Sequence, residues 1–98
     1  MKNEYIQNVA VIGLGTMGHG IAQAFATGGC TVSCYDHFPA ARKSLHKNIE
    51  RNLKEFVQAG IIKFSAVKKS LARISVFDTE EKTVRADNHT KISSEYLG

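Results

Sequence analysis

The chain has 98 residues, 43% of them hydrophobic and 22% charged, with a formal net charge of +4. This length allows one domain, and the composition is that of an ordinary globular protein rather than a disordered or fibrous one. No apolar run approaches the ~20 residues of a membrane-spanning helix, and Met1 to Tyr5 lead into the first apolar run with no signal-peptide core, so the default expectation is a cytoplasmic location.

The first predicted element is a strand, Val9-Ala10-Val11-Ile12, whose unbroken apolar run marks burial on both faces. It passes into Gly13-Leu14-Gly15-Thr16-Met17-Gly18. Glycines at this spacing between a strand and a helix form a dinucleotide-binding fingerprint. Gly13 permits the tight turn, Gly15 lets the backbone approach a pyrophosphate, and Gly18 lets the helix pack close to the strand. The helix is predicted over Thr16–Thr27, with Met17, Ile21 and Phe25 at four-residue spacing, Ala22 and Ala26 beside them, and Gly28-Gly29 as its stop. Its first amides and the positive end of its dipole hold an anion without any charged side chain. Gly13, Leu14, Gly15, Thr16, Met17 and Gly18 are therefore the candidate loop contacts.

The second strand, Thr31–Tyr35, runs into Asp36, which lies 23 residues past Gly13. That offset matches the roughly 20 residues at which a carboxylate reaches the adenosine ribose hydroxyls, and a carboxylate there repels a 2′-phosphate. NAD, rather than NADP, is the cofactor expected, with Asp36 as its ribose contact. His37 is read as a solvated loop residue. Cys30 and Cys34, four residues apart in extended chain, stand roughly 13 Å from one another, beyond disulfide reach, and are read as buried thiols. His19, His37, His46 and His89 are scattered, so no metal site is expected.

Pro39 is pre-set for the first turn of a second, longer helix that carries Leu45, Ile49, Leu53, Phe56 and Val57 on one stripe and ends at Gly60. A shorter amphipathic segment follows, with Val67, Leu71 and Ile74 on one face and Ser65 as its candidate cap. Ile74–Phe77 is a third strand, and Asp78-Thr79-Glu80-Glu81 reads as a capping box opening a helix through about Ala86. The pattern is β-α-β-α-α-β-α, an α/β fold: a partial Rossmann-type doubly wound parallel sheet with a long helical arm. Between Arg42 and Arg73 nine basic residues face two acids, Glu50 and Glu55. No recognition-helix motif or interleaved aromatics accompany that charge, so no nucleic-acid partner is expected. With nothing outside the arm to cover it, the Leu45, Ile49, Leu53, Phe56 stripe is a candidate self-association surface.

The run from Val9 to Gln23 closely resembles the N-terminal motif of L-3-hydroxyacyl-CoA dehydrogenases. Tyr35-Asp36, the long basic helix, Ala72-Arg73-Ile74 and the Asp78 to Asp87 segment continue the likeness over about residues 6–87. The resemblance implies a first domain that binds NAD and a helical second domain that completes the active site. It also implies reversible oxidation of a 3-hydroxyacyl-CoA to the 3-oxoacyl-CoA, with hydride transfer to NAD, in fatty-acid metabolism. Relatives acting on 3-hydroxybutyryl-CoA, sugar acids or carnitine share the same opening, so the substrate stays open. In the family the basic arm faces the CoA nucleotide.

After Asp87 the family continues into an apolar fourth strand ending in glutamate, whereas this chain reads Asn88-His89-Thr90-Lys91-Ile92-Ser93-Ser94-Glu95-Tyr96-Leu97-Gly98. In the doubly wound order 3-2-1-4 the fourth strand covers the flank of the first, so this polar tail predicts an open edge on the first strand. The family's catalytic histidine and the glutamate that orients it have no counterpart here, and neither His19 nor His89 is read as a base. The expectation is a truncated NAD-binding domain over 1–98, divergent over 88–98, with no catalytic residues and no turnover of its own. The alternative is a non-catalytic NAD-binding or interaction module from a truncated paralogue. An apolar strand encoded in another reading frame after residue 87 would mark the tail as a frameshift.

Overall fold

The computed structural model describes residues 8–85 and 90–93. In chain order the elements are β1 (Asn8–Ile12), α1 (Thr16–Thr27), β2 (Thr31–Tyr35), α2 (Pro39–Gln58), α3 (Phe64–Ala72), β3 (Ile74–Val76), α4 (Glu80–Arg85) and β4 (Thr90–Ser93). The four strands form one parallel sheet in the order β3-β2-β1-β4. β1 lies inside the sheet, and Val9, Ala10 and Val11 are fully buried.

The open edge expected on β1 is not there. β4 pairs with it in parallel register, Val9 against Thr90 through Ile12 against Ser93. A parallel ladder is made by main-chain N–H and C=O groups, and an interior strand needs both its edges paired. A polar edge strand meets that need, and the β-branched Thr90 and Ile92 suit extended chain.

Side chains alternate across the sheet and divide its packing into two layers. Val9, Val11, Val32, Cys34 and Ile74 face one way and join Leu14, Ala22, Ala26, Leu45, Ile49, Leu53 and Val67 in a single core under α1, α2 and α3. Ala10, Ile12 and Ser33 alternate to the other face, where α4 packs on β1 and β2 and buries Thr83 completely. The small residues Ala10 and Ser33 leave room for that helix to approach.

The stripe on α2 is likewise spoken for. Leu45, Ile49 and Leu53 are essentially fully buried because α2 packs on α1 and α3 of the same domain, and of the four stripe residues only Phe56, at 37%, is exposed. That stripe is core, which corrects the expectation of a self-association surface there. Large apolar side chains are exposed elsewhere, at Met17, Phe38, Ile61 and Phe64.

α1 and α2 end alike. Gly29 and Gly60 adopt φ of 103° and 77°, and the residues after them donate back to the helix, Cys30 N to Phe25 O and Ile61 N to Phe56 O, both at 2.9 Å. These are Schellman endings, which place glycine just past the last turn. Arg73 Nη1 donates to Ala26 O at 2.7 Å and so ties the β3 side of the fold to the last turn of α1.

Two predicted caps move. α3 begins one residue before Ser65, with Lys63 at the N-cap and no side-chain cap, so Ser65 lies inside the first turn. At α4 the capping oxygen is Thr79 Oγ1, which accepts from Lys82 N at 3.1 Å. Asp78 instead accepts from Lys82 Nζ at 3.1 Å, and that hydrogen bond and charge hold its carboxyl below the usual carboxylate range.

Candidate functional site

β1 and β2 run parallel and end side by side, so the segments leaving their C-terminal ends converge. This is where open α/β sheets form ligand crevices. Here a cleft of about 500 Å³ is lined by Ile12, Gly13 and Gly15 from the first crossing, Tyr35, Asp36, His37 and Phe38 from the second, and Glu80 from the start of α4. That volume suits a small-molecule ligand.

Gly13 turns the chain out of β1 with φ of 94°, a conformation that favours glycine, and its N–H donates to Tyr35 O at 2.8 Å. Gly15 is the N-cap of α1, without a side-chain cap, and a Cβ built on it would meet nothing within 4 Å. The missing side chain therefore serves no internal packing need, and its absence leaves the backbone open to an approaching ligand. The first amides of α1, at Thr16, Met17 and Gly18, lack acceptors within the helix. α1 has no acidic residue in its first turn to oppose an anion. Gly18 is buried and Met17 exposed.

Asp36 is half-buried at the end of β2. Its Oδ2 accepts from Leu14 N at 2.6 Å and its Oδ1 from Phe38 N at 2.8 Å. One carboxylate thus bridges the glycine loop and the start of α2. Leu14 keeps its side chain in the core and turns its amide to Asp36, so it acts on the loop through that carboxylate. Arg42 Nη1 donates to Asp36 O at 2.8 Å while its guanidinium lies 5.7 Å from the centre of the Tyr35 ring, which braces the same corner from the helix side.

The histidines separate by environment. His19 Nε2 accepts from Asn52 Nδ2 at 2.9 Å, and Asn52 also donates to Gln23 Oε1 at 3.1 Å, so a polar cluster joins α1 to α2. His46 Nε2 donates to Ile74 O at 2.9 Å. His37 is exposed at the cleft, its ring edge-on to Phe38, and His89 lies outside the described residues. Among the described residues no cluster of three metal-ligating side chains occurs, and no helix is long and apolar enough to cross a membrane. Neither cysteine is in a disulfide; only Cys34 is buried, which pushes its thiol up to about 12, while Cys30 is half-buried, and this corrects the expectation of two buried thiols.

Sequence reading missed Phe38, Glu80 and Arg42 as parts of this corner. Phe38 has the one available signal, a large apolar residue directly after the acid and before the helix-opening Pro39. Glu80 reaches the cleft only because β3 sits beside β2, which is a matter of topology.

The family model for the 3-hydroxyacyl-CoA dehydrogenase NAD binding domain matches residues 8–91, reaching into β4. A probable 3-hydroxybutyryl-CoA dehydrogenase of Bacillus subtilis is 35% identical over 82 residues, which are 84% of this chain and 29% of that protein. The crystal structure of the (S)-3-hydroxybutyryl-CoA dehydrogenase of Ralstonia eutropha superposes with a TM-score of 0.78 at 27% identity, covering 93% of this chain and 32% of that one. The 3-hydroxybutyryl-CoA dehydrogenase of Escherichia coli does so with a TM-score of 0.79 at 31% identity, covering 91% and 18%. The chain therefore spans about a third or less of the length of these relatives. With a Rossmann-type sheet, a glycine loop at its centre and a family model over most of its length, the chain belongs to the 3-hydroxyacyl-CoA dehydrogenase family as its NAD-binding domain.

Proposed function

We propose that the cleft at the ends of β1 and β2 holds NAD, with the pyrophosphate over Gly13, Gly15 and the first-turn amides of Thr16, Met17 and Gly18, and the adenosine ribose at Asp36. The observation that carries this reading is the loop itself. At Gly15 the backbone is open to solvent with room for a ligand where a side chain would stand. Leu14 contributes by fixing Asp36, whose oxygens each retain a second lone pair for a ribose hydroxyl. The carboxylate repels a 2′-phosphate and so sets NAD above NADP.

For the whole protein we propose oxidation of a 3-hydroxyacyl-CoA to the 3-oxoacyl-CoA, in which bound NAD supplies the hydride acceptor. Named relatives act on 3-hydroxybutyryl-CoA, which supports an acyl-CoA substrate. Lys47, Arg51, Lys54 and Lys68 line shallow grooves along α2 and α3 and give that arm a field suited to CoA phosphates. The base for the substrate hydroxyl does not come from the described histidines. His19 is bonded to Asn52, His46 to Ile74, and His37 lies at the adenosine end. The role of this domain is to bind and orient the nucleotide.

Calorimetric titration of the 98-residue chain with NADH, with NADPH as the control, tests the assignment. Saturable binding of NADH, tighter than NADPH, is expected. Absence of NADH binding to the folded chain overturns it.

A further inference from the structure

The hairpin of α2 and α3 ends in a projecting tip. The buried stripe of α2 stops at Leu53, and from residue 54 to residue 66 no side chain is buried, with Val57, Ile62 and Ala66 alone half-buried. Phe56, Ile61 and Phe64 stand exposed on this one stretch, at 37%, 65% and 71%. The backbone presents them on a fixed mount. Gly60 N donates to Val57 O at 3.0 Å and Ile61 N to Phe56 O at 2.9 Å, and on the α3 side Ala66 N donates to Lys63 O at 3.0 Å. The residue after a Schellman glycine commonly packs back on the helix it closes, yet Ile61 is left outside.

Lysines surround these apolar side chains. Lys54, Lys63, Lys68 and Lys69 are exposed, and Glu55 is the one acid between residues 54 and 69. Lys63 and Lys69 stand outside the grooves proposed for CoA phosphates. An occupant of the tip therefore has to be negative. A second copy related by two-fold symmetry would bring the same basic patch against itself. A stable protein interface takes about 800 Å² from each side, more than three side chains on one stretch of chain offer. A bilayer sets no such minimum. It accepts a convex apolar wedge, with lysine stems along the acyl boundary and ammonium groups among headgroup phosphates.

We propose that the tip of the α2–α3 hairpin docks on the surface of an anionic phospholipid bilayer. Ile61 and Phe64 insert below the headgroups, and Lys63 and Lys69 pair with lipid phosphates. The domain lies on the bilayer and does not cross it, and with so few apolar side chains inserted the contact is reversible.

The test is cosedimentation with vesicles of phosphatidylcholine, alone or mixed with phosphatidylglycerol, together with the emission of Phe64→Trp, since the chain has no tryptophan of its own. Phe38→Trp, on a residue about 30 Å away at the other end of the 20-residue α2, is the control. The wild type sediments with the mixed vesicles and not with phosphatidylcholine. The emission of Phe64→Trp shifts to the blue on the mixed vesicles, and that of Phe38→Trp does not. Lys63→Gln combined with Lys69→Gln weakens binding roughly tenfold. Ile61→Ser combined with Phe64→Ser abolishes it, with a melt like that of the wild type because neither side chain belongs to the core. A folded wild type that does not bind the mixed vesicles overturns the proposal. Binding with unshifted emission in Phe64→Trp also overturns it, as adsorption by charge without insertion. Dimerisation that Ile61→Ser with Phe64→Ser abolishes, in the absence of vesicle binding, assigns the tip to a second copy instead.

Discussion

Replacing Asp36 with alanine is expected to harm the protein before any nucleotide is added. The carboxylate accepts from Leu14 N at 2.6 Å and from Phe38 N at 2.8 Å, so its loss leaves two main-chain donors without their acceptor. Hydrogen bonds to a charged acceptor contribute about 1.5–3 kcal/mol each when well shielded, and less when water can replace the acceptor. The bond to Phe38 is exposed and the bond to Leu14 partly buried, which places the combined cost near 2 kcal/mol. In a domain of this size that lowers the melting temperature by on the order of 10 °C. Asp36→Asn has a single side-chain oxygen to offer and turns an NH₂ toward the other donor, so it falls between alanine and wild type. The assay is thermal unfolding without ligand, followed by NADH and NADPH titrations well below each variant's melting temperature. NADH affinity falls in both variants, and the gap to NADPH narrows as the negative charge goes. An unchanged melting temperature in Asp36→Ala with weakened NADH binding would refute the bridging role and leave the residue as a ligand contact alone.

Gly15→Ala should melt like the wild type, because φ is −71° and the new Cβ meets nothing, yet lose NADH binding in the same titration. Ile49→Ala is expected to cost about 2–5 kcal/mol by denaturant unfolding, since Ile49 is completely buried under α1 and the sheet. Alkaline pH should destabilise the domain through Cys34. Its folded thiol holds a proton up to about 12 against 9.0 for the free thiol, so stability is complete below pH 9 and declines from there towards pH 12. The decline amounts to at most about 4 kcal/mol and is absent in Cys34→Ala, as urea titrations across that pH range would show.

Much of the domain was legible because local pattern and global fold agree. The apolar run of β1, the glycine loop, the small-residue face of α1, Thr31–Tyr35 and the Pro39 opening each satisfy their own local preference and the demands of the sheet together. β4 was not legible, since its place is fixed by the main-chain needs of β1 and not by its own polar side chains. The buried stripe of α2 was identified as apolar, but which surface covers it depends on α1 and α3 returning beneath it. The cap at α3 moved two residues, from Ser65 to Lys63, and the cap at α4 one, from Asp78 to Thr79. A serine or an aspartate near a helix start signals a cap, but only the path of the chain decides whose oxygen reaches the amide. At the candidate site, the meeting of Gly13, Gly15 and Asp36 at one cleft was readable from spacing. Leu14's bond to that carboxylate and the approach of Glu80 arise from neighbours far apart in the chain.

The central position of β1 has a kinetic consequence. Its neighbours are β2, which follows after one helix, and β4, which comes from the far end of the described chain. The β1–β2 pair closes a short loop, whereas pairing Val9 with Thr90 closes one that spans nearly the whole described chain. Pairings of such long range carry the largest loop-closure cost and raise contact order, which slows folding. The glycine loop springs from the end of this strand, so completion of the β1–β4 ladder is expected to fix the loop's final position. In a refolding experiment, recovery of NADH binding should lag behind recovery of helix.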